Sequence, residues 1–548
     1  MLARKSLMSS GIDSRSAVFL LVLCAGSVTA SSALGQSWLN PVSGNWSDGT
    51  KWSGGAAPNS AGATATLGLA APYTVSLGGG FTIGNLLVTN TQATLNILNN
   101  STLAAGAAAP LDVSVNDGVI VINSPAANNI TSIQLNGVHA FTGTGRITLH
   151  ASSANIDTAR FVRGVTDARV INAAGHTING NGQFNDIGVD NAGTIDASVT
   201  GEALQLFNRP VTNTGLMTAS VGLLSFNAST VTQSAAGLIS ATGSGSVQFV
   251  NSSLTGGTIS SSGAGQLFLP VSVGATFNGV TVASPLNVRN NSTLAVIGAG
   301  LVVNAELTIN SPGANNLTSL RCDNDGDNFL AGTGIITLNA SPANIDTARF
   351  VRGAANSVAV IGAGLTVRGF GQFNDIGITN HGIVNANIDG RQLQLLGRAS
   401  TNNNLMTATS GGTFQVNSHT VTNTGNGRLV ADGVGSTVNL ISAGVGGGNI
   451  TAQNGGTAQI AVSTGATLDG VTLSGPFNIL NNSLLAVTAN GIVNNGVLTV
   501  NSPGANNLTS IQANADNTPI AGAGTIVLNA STANIDTARF TRANDTAS

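Results

Sequence analysis

Charged residues are scarce in this sequence. Only 7% of its 548 residues are charged, and 19 Lys and Arg against 22 Asp and Glu leave a net charge of −3. A protein that binds nucleic acid needs a basic surface to neutralise the phosphates, so the composition excludes nucleic acid as a partner. Hydrophobic residues still make up 42% of the chain. This supply of apolar side chains is enough for a folded core and argues against intrinsic disorder.

Cysteine is almost absent, with two residues in the whole chain. Cys24 lies in an N-terminal apolar segment that we expect to be removed, which leaves Cys322 alone and excludes an intrachain disulfide. Packing and backbone hydrogen bonds must therefore provide the stability. No metal or other cofactor is indicated, because the histidines do not show the spacing of metal ligands. They are His139, His150, His176, His381 and His419.

The mature sequence also lacks a long hydrophobic run. The apolar segment from Ala17 to Leu23 follows Arg4, Lys5 and Arg15 and precedes a series of small residues. This order is typical of a secretory signal peptide, which we place at residues 1–35. No later stretch has the roughly 18 apolar residues of a membrane span. We therefore predict a secreted or cell-surface protein without a transmembrane span in the mature chain.

Repetition at two scales is the main feature that the sequence does contain. The phrase Asn123–Ser132 recurs as Asn310–Ser319 and as Asn501–Ser510, at offsets of 187 and 191 residues. A shorter phrase returns every 20 to 23 residues, for example from Gly193 and again from Gly215. A parallel series of triplets places one polar residue between two apolar ones, which is the alternation of a strand with one buried face.

Short strands that return at this spacing predict an all-β fold, a right-handed parallel β-helix (β-solenoid) with about 22 residues per rung. Each rung cannot bury its apolar side alone, and stacking on the next rung completes the core. An array of immunoglobulin-like sandwiches would repeat near every 100 residues instead. We assign a signal peptide (1–35), a Trp-rich N-terminal cap (36–80), solenoid unit 1 (81–285), unit 2 (286–476) and an incomplete unit 3 (477–548).

Aromatic residues make up 4% of the chain, and all three Trp residues precede residue 74. The first rung of a solenoid exposes strand edges and an apolar floor, so Trp38, Trp46 and Trp52 are expected to form a cap over it. The alternative is that these three rings contact carbohydrate by stacking on sugar rings.

The Trp-rich segment resembles a known group of proteins. Its spacing W-x-x-P-x-S-G-x-W-x-x-x-x-x-W-x-x-G-x-x-P, from Trp38 to Pro58, is similar to the start of many secreted bacterial repeat proteins. These include autotransporter-associated β-strand repeat proteins and planctomycete-type surface proteins. The resemblance implies a right-handed β-helix displayed outside the cell, with an adhesive or matrix role. The sequence departs from the group because it shows no carboxy-terminal β-barrel, sorting helix or dockerin module, as expected if a longer array were cut short.

One Asp–Arg pair suits acid–base chemistry on polysaccharides but is copied between the units. The copies are Asp157 with Arg160 and Arg163, Asp346 with Arg349 and Arg352, and Asp536 with Arg539 and Arg542. A catalytic centre copied three times would be unusual, so we interpret each copy as a structural Asp–Arg pair. Asp186 and Asp375 lie in a second copied phrase, and we expect them to stabilise turns through Asx hydrogen bonds.

The acidic cluster Asp323, Asp325 and Asp327 is the one weak candidate for a metal site. Its alternating carboxylates are ligands of the kind that Ca²⁺ prefers. The Gly of the cluster falls at the fourth position and no twelfth-position Glu follows, so the segment is a poor EF-hand. We expect a solvated loop that binds Ca²⁺ weakly if at all.

Two functions from different classes remain. The first is an exported structural or adhesin-like surface rod that makes multivalent contact with surface polysaccharide or with other surface proteins. The alternative is a β-helix polysaccharide lyase or hydrolase. An enzyme should interrupt the repeat with unique carboxylates, Lys or His, and no such stretch occurs. We therefore predict a protein that is not an enzyme and has no catalytic residues.

Overall fold

The structure is a computed structural model that describes residues 35–106 and 111–543. The expected signal peptide lies outside these residues apart from Gly35, and so does Cys24. The described chain is all-β with about 2% helix, and its parallel strands stack as a β-solenoid of about 19 turns with a rung spacing of about 23 residues. The prediction of a parallel β-solenoid is confirmed.

The described residues form 60 strands. The first thirteen are β1 (Gly35–Ser37), β2 (Gly44–Asn45), β3 (Thr64–Leu67), β4 (Tyr73–Leu77), β5 (Gly80–Ile83), β6 (Asn85–Val88), β7 (Ala93–Ile97), β8 (Thr102–Ala105), β9 (Asp112–Asn116), β10 (Val119–Ser124), β11 (Thr131–Leu135), β12 (Val138–Thr142) and β13 (Arg146–Ala151). They are followed by β14 (Ala159–Arg163), β15 (Arg169–Asn172), β16 (Thr177–Asn185), β17 (Gly188–Asn191), β18 (Thr194–Ala197), β19 (Ala203–Phe207), β20 (Val211–Asn213), β21 (Leu216–Ala219), β22 (Leu223–Asn227), β23 (Thr230–Gln233), β24 (Leu238–Ala241), β25 (Ser246–Val250), β26 (Ser252–Thr255), β27 (Thr258–Ser261), β28 (Gln266–Leu269), β29 (Gly274–Val282), β30 (Leu286–Val288), β31 (Thr293–Val303), β32 (Glu306–Asn310), β33 (Thr318–Cys322), β34 (Asp327–Ala331) and β35 (Ile335–Asn339). The remaining strands are β36 (Ala348–Arg352), β37 (Val358–Ile361), β38 (Thr366–Asn374), β39 (Gly377–Asn380), β40 (Ile383–Ala386), β41 (Gln392–Leu396), β42 (Ser400–Asn402), β43 (Leu405–Thr409), β44 (Thr413–Asn417), β45 (Thr420–Asn423), β46 (Arg428–Asp432), β47 (Thr437–Ile441), β48 (Ala443–Gly446), β49 (Asn449–Gln453), β50 (Thr457–Ile460), β51 (Gly465–Asp469), β52 (Val471–Ser474), β53 (Pro476–Ile479), β54 (Leu484–Val487), β55 (Ile492–Asn494), β56 (Val497–Asn501), β57 (Thr509–Ala513), β58 (Ile520–Ala521), β59 (Thr525–Asn529) and β60 (Ala538–Arg542).

Helical structure in the described chain is limited to short 3-10 turns at Gly49–Lys51, Ile156–Thr158, Ile345–Thr347 and Ile535–Thr537. None of these is long and apolar enough to cross a membrane.

The strands form three stacked faces, and each strand pairs in parallel with the strand at the same position in the next turn. Face 1 contains the ladder β5–β8–β11–β14. Face 2 contains β3–β6–β9–β12, and face 3 contains β4–β7–β10–β13. The chain visits the faces in this order in every turn, so each rung supplies one strand to each face.

Alternating side chains explain the core. In β10 every second residue points inward, and Ile120 and Ile122 are fully buried. Equivalent residues of successive rungs stack on one another, as shown by the rings of Phe161 and Phe184, whose centroids lie 5.2 Å apart. Each fully buried large apolar side chain of this kind stabilises the fold by roughly 1.5–3 kcal/mol. The continuous column of apolar side chains therefore holds the rungs together.

A ladder of buried amides runs beside the apolar column. Asn172 donates to Asn191 at 2.7 Å, Asn191 donates to Asn213 at 2.8 Å, and Asn213 donates to Gln233 at 2.9 Å. Each amide therefore satisfies the amide of the neighbouring rung, as buried polar groups require. Unit 2 repeats the arrangement through Asn380, Asn402 and Asn423.

Glycine is required where one strand passes from one face to the next. The first part of β16 pairs on face 3 and its last part pairs on face 1. Gly180 lies at this bend with a φ of 112°, and a Cβ there would lie 1.9 Å from the carbonyl oxygen of Leu149. The equivalent Gly369 in β38 has a φ of 105° and would clash with Leu338 at 2.1 Å. No larger residue fits this bend without moving the backbone.

The long units are rotated relative to one another by one face. The offset of about 190 residues is not a whole number of rungs of about 23 residues. Phe161 on β14 therefore lies on face 1. Its copy Phe350, on β36, lies on face 2, in the ladder that runs from β26 through β29, β31 and β33. Phe540, on β60, lies on face 3, in the ladder β51–β54–β57–β60.

Candidate functional site

The copied Asp–Arg motif forms a small corner that projects between two rungs. In the first copy the side chain of Asn155 accepts a hydrogen bond from the backbone N–H of Asp157 at 3.1 Å and so caps a 3-10 turn. The hydroxyl of Thr158 donates to the carbonyl of Ser124 at 3.1 Å, which ties the turn to the preceding rung. The corners at 344–349 and 534–539 repeat both contacts.

In the first two copies the structure pairs the charged residues of this corner as the sequence predicts. Arg160 lies 2.7 Å from the carboxylate of Asp157, and Asn185 of the next rung donates to the same carboxylate at 2.6 Å. In the second copy Arg349 lies 3.1 Å from Asp346, and Asn374 donates at 2.8 Å. The corner therefore links consecutive rungs through charge and hydrogen bonds.

A second ionic cluster joins Asp186 and Asp375 to arginines, a pairing that the sequence interpretation missed. Asp186 has a φ of 51°, as a turn residue does, but its carboxylate bridges Arg163 and Arg209 at 2.6 Å each. Asp375 has the same φ and bridges Arg352 at 2.7 Å and Arg398 at 3.2 Å in unit 2. In place of the expected Asx hydrogen bonds that stabilise a turn, each aspartate forms an Arg–Asp–Arg bridge across three rungs.

These bridges keep the central carboxylates ionised. The hydrogen bond from Arg352 is the main effect that lowers the pKa of Asp375 below its usual value, and Arg398 lowers it further. Partial burial acts to raise the pKa of Asp186, but Arg209 and Arg163 together lower it. A carboxylate with a lowered pKa does not hold a proton at neutral pH, so neither residue is suited to act as a general acid.

The three Trp rings form a closed cluster at the start of the solenoid. Trp46 and Trp52 pack edge to face with centroids 4.9 Å apart, and Trp38 packs on Trp52 at 5.1 Å. Their relative exposures are 2% for Trp38, 0% for Trp46 and 1% for Trp52. Every indole N–H donates to a backbone carbonyl of the same segment. Stacking on a sugar needs an exposed ring face, and in this arrangement the chain itself covers the rings.

The acidic loop is organised by its own hydrogen bonds. Arg321 contacts both oxygens of Asp323 at 2.6 and 2.7 Å, and Asp325 accepts from the backbone N–H of Asn356 at 2.9 Å. Asp327 is the exposed first residue of β34. Within residues 35–106 and 111–543, no three His, Cys, Asp or Glu side chains lie together in an arrangement that could hold a metal ion.

Three of the five histidines are buried inside the solenoid. His139 and His419 each contact a serine hydroxyl, Ser114 at 2.8 Å and Ser400 at 2.7 Å. His176 lies between Asn116 and Asn172. Burial lowers the pKa of each of these imidazoles to about 4. They are therefore neutral at physiological pH and belong to the packing of the core.

A row of hydroxyl side chains in register lies on the outer surface of face 2. On face 2 the outward residues of three successive strands are Thr212, Thr232 and Thr255, which lie directly opposite one another and are exposed. Such rows offer many hydrogen-bond donors and acceptors and little charge.

The chain matches no protein-family model, and a search of the curated proteins finds no match. The class of the protein is therefore defined by its architecture. It is a parallel β-solenoid, a fold that is consistent with a rod-like structural or surface protein.

Proposed function

We propose that this chain is an exported structural or adhesin-like surface rod that acts through multivalent contact. The observation that carries the proposal is that equivalent polar corners lead into strands on three different faces of one rod. Contacts that are weak individually gain strength when one molecule makes several of them. The resemblance of the Trp-rich segment to autotransporter-associated and planctomycete-type surface proteins, and the expected signal peptide, support the same role.

The ionic groups of the corners also favour contact over catalysis. Acid–base catalysis requires two groups whose pKa values are driven apart within one cleft. Asp157 and Asp346 in the corners each pair with an arginine. Asp186 and Asp375 in the second ionic cluster bridge arginines of neighbouring rungs. These contacts connect rungs, and both complete units contain the same arrangement.

The proposal is tested with the full mature chain on surface polysaccharide and on isolated cell envelopes. We expect the chain to be retained on envelope material and to release neither new reducing ends nor unsaturated uronic products. A chain that is retained on none of these surfaces would contradict the proposal. Turnover that Asp346→Asn abolishes, with Asp157 and Asp536 intact, would instead establish the lyase or hydrolase alternative.

A further inference from the structure

An open groove on the outer surface distinguishes unit 2 from unit 1. In unit 2 the strands β45, β48 and β51 of face 3 enclose an open groove of about 870 Å³. The outward positions of the central strand are Gly444 and Gly446. We call this feature the glycine-floored groove and define it by Thr420, Thr422, Gly444, Gly446, Thr467 and Asp469.

The register of the strands explains the shape of the groove. Gly444 lies between Thr420 and Thr467, and Gly446 lies between Thr422 and Asp469. Neighbouring strands are about 4.8 Å apart, so the two rows of wall residues are separated by roughly 10 Å. The missing side chains of the central strand leave a channel one strand wide. The channel follows β48 across the rod and is shaped for an extended chain.

At the equivalent position of unit 1, side chains fill the channel. There the central strand β26 carries Ser253 between Thr230 and Thr276, and Thr255 between Thr232 and Asn278. The cavity that remains there measures about 310 Å³ and is lined by Thr230, Ser253 and Thr276, and also by Arg321. The rung geometry alone therefore does not create the larger groove, which depends on the two glycines. Its volume lies within the range of roughly 300–1,000 Å³ that is typical of ligand sites.

The lining determines which ligands are suitable. No Lys, Arg or aromatic residue lines the groove, and Asp469 is its one charged residue. An anionic ligand would meet a carboxylate without a cation to balance it, and an aromatic ligand would find no ring to stack on. The exposed hydroxyls of Thr420, Thr422 and Thr467 can each donate and accept hydrogen bonds, which suits a ligand that is rich in hydroxyl groups.

A peptide strand is a poor alternative. β-Strand addition requires free backbone N–H and C=O groups at a sheet edge. In the groove the central strand β48 already pairs with β45 on one side and with β51 on the other. Side chains and glycine Cα–H groups are therefore what the groove offers to a ligand.

We propose that the glycine-floored groove binds a segment of a linear, uncharged polysaccharide. This inference rests on the proposed role in surface contact and names the ligand class of one site. The C–H faces of the sugar rings lie on the glycine floor, and the hydroxyl groups at their edges exchange hydrogen bonds with the threonines of the walls. Without aromatic stacking each contact is weak, which suits a rod that acts through many contacts.

The test exchanges the groove of unit 2 for that of unit 1. The double variant Gly444→Ser/Gly446→Thr of the full mature chain places the unit 1 side chains in the channel. A Cβ at Gly446 meets nothing within 4 Å, and a Cβ at Gly444 lies 3.0 Å from the Thr420 hydroxyl. Unit 1 accommodates Ser253 opposite Thr230 at the same register, so the fold should be retained. Gly80→Thr is the matched control, because a Cβ at this exposed glycine on another face also meets nothing within 4 Å.

Affinity electrophoresis in gels that contain a linear neutral β-glucan, a neutral mannan or polygalacturonate provides the measurement. We expect at least one neutral polysaccharide to retard the wild-type chain and the Gly80→Thr control, with binding about tenfold or more weaker in the double variant. The reciprocal variant Ser253→Gly/Thr255→Gly should bind more strongly than wild type because it opens a second groove.

Equal retardation of the double variant and the wild type would overturn the inference, as would stronger retardation by polygalacturonate or the absence of retardation by any neutral polysaccharide. If the double variant is still retained on cell envelopes while no neutral polysaccharide binds, the groove inference fails and the proposed surface role stands. Loss of retention of the wild-type chain on every surface would remove the surface role as well.

Discussion

At the scale of single residues, the buried amides show how polar side chains can stabilise a solenoid. Asn191 accepts from Asn172, donates to Asn213 and also donates to the carbonyl of Leu216 at 3.1 Å. An amide that repeats at the same position in each rung satisfies its neighbours, whereas an interruption leaves buried groups without partners. The ladder therefore favours one register of stacking over all others.

We expect Asn191→Ala to lower the free energy of unfolding of the surrounding rungs by about 2–4 kcal/mol, because it leaves a buried amide oxygen of Asn213 unpaired and opens a cavity. Hydrogen exchange of the neighbouring backbone amides measures the local opening. This method is preferable to a global unfolding measurement because a solenoid need not unfold in one step. Thr212→Ala, at an exposed position of the next rung, is the control and should change exchange little. Equal effects of the two substitutions would contradict the proposed importance of the ladder.

The buried histidines should make stability depend on pH. The folded pKa values of His139, His176 and His419 are lowered to about 4, against roughly 6.5 in an unfolded chain. Between these values the unfolded chain binds protons that the folded chain does not, so stability falls as the pH drops from about 6.5 to about 4. The loss is at most about 3–4 kcal/mol for each histidine.

Urea unfolding across this pH range measures the effect. The double variant His139→Gln/His419→Gln should show a shallower dependence than the wild type. If the unfolding free energies of the variant and the wild type depend on pH in the same way, protonation of these imidazoles is not coupled to folding. Above about pH 5 the histidine effect is separate from that of Asp186 and Asp375, because their lowered pKa values change stability only below about that pH.

At the scale of elements, the bends between faces depend on backbone conformation more than on side chains. Each of the long strands β16 and β38 serves two faces, and a glycine with positive φ allows the turn. The adjacent rung approaches this bend so closely that even a methyl group would collide with its backbone. A bend of this kind fixes where one face ends and the next begins.

We expect Gly180→Ala to destabilise the rungs around β16 by about 2 kcal/mol or more, since its φ is unfavourable for alanine and its Cβ would clash with Leu149. Gly80→Ala should have little effect, because a Cβ there meets nothing within 4 Å. Thermal unfolding followed by circular dichroism compares the two variants. A smaller decrease in the melting temperature for Gly180→Ala than for Gly80→Ala would show that the backbone at the bend can relax.

The sequence predicts the elements better than it predicts their contacts. The alternation of apolar and polar residues is visible locally, so the strands and the rung spacing could be recognised from the chain alone. The bridge from Asp186 to Arg209 could not be recognised in this way, because its partners are 23 residues apart. That separation is one rung, and comparing charged residues at the rung spacing is the signal that would have identified the pair. The groove was missed because Gly444 and Gly446 are unremarkable until their neighbours in adjacent rungs are known.

At the scale of the whole molecule, the stacked rungs define a rod. About 19 turns at roughly 4.8 Å each give a length of about 90 Å. We expect small-angle scattering of the mature chain to show an elongated particle and far-UV circular dichroism to show β-structure without appreciable helix. A scattering profile of a compact sphere, or a strong helical spectrum, would be incompatible with this architecture.

The rotation of the long units by one face also limits how the rod can engage its surroundings. Because Phe161, Phe350 and Phe540 mark three different faces, their corners point in three directions around the axis. Each corner lies at an edge between two faces, so a flat surface that lies along the rod can touch at most two of the three corners. The third corner points away from that surface, where it is accessible to a second surface or a neighbouring filament. The geometry thus favours a molecule that bridges separate objects over one that lies flat on a single object.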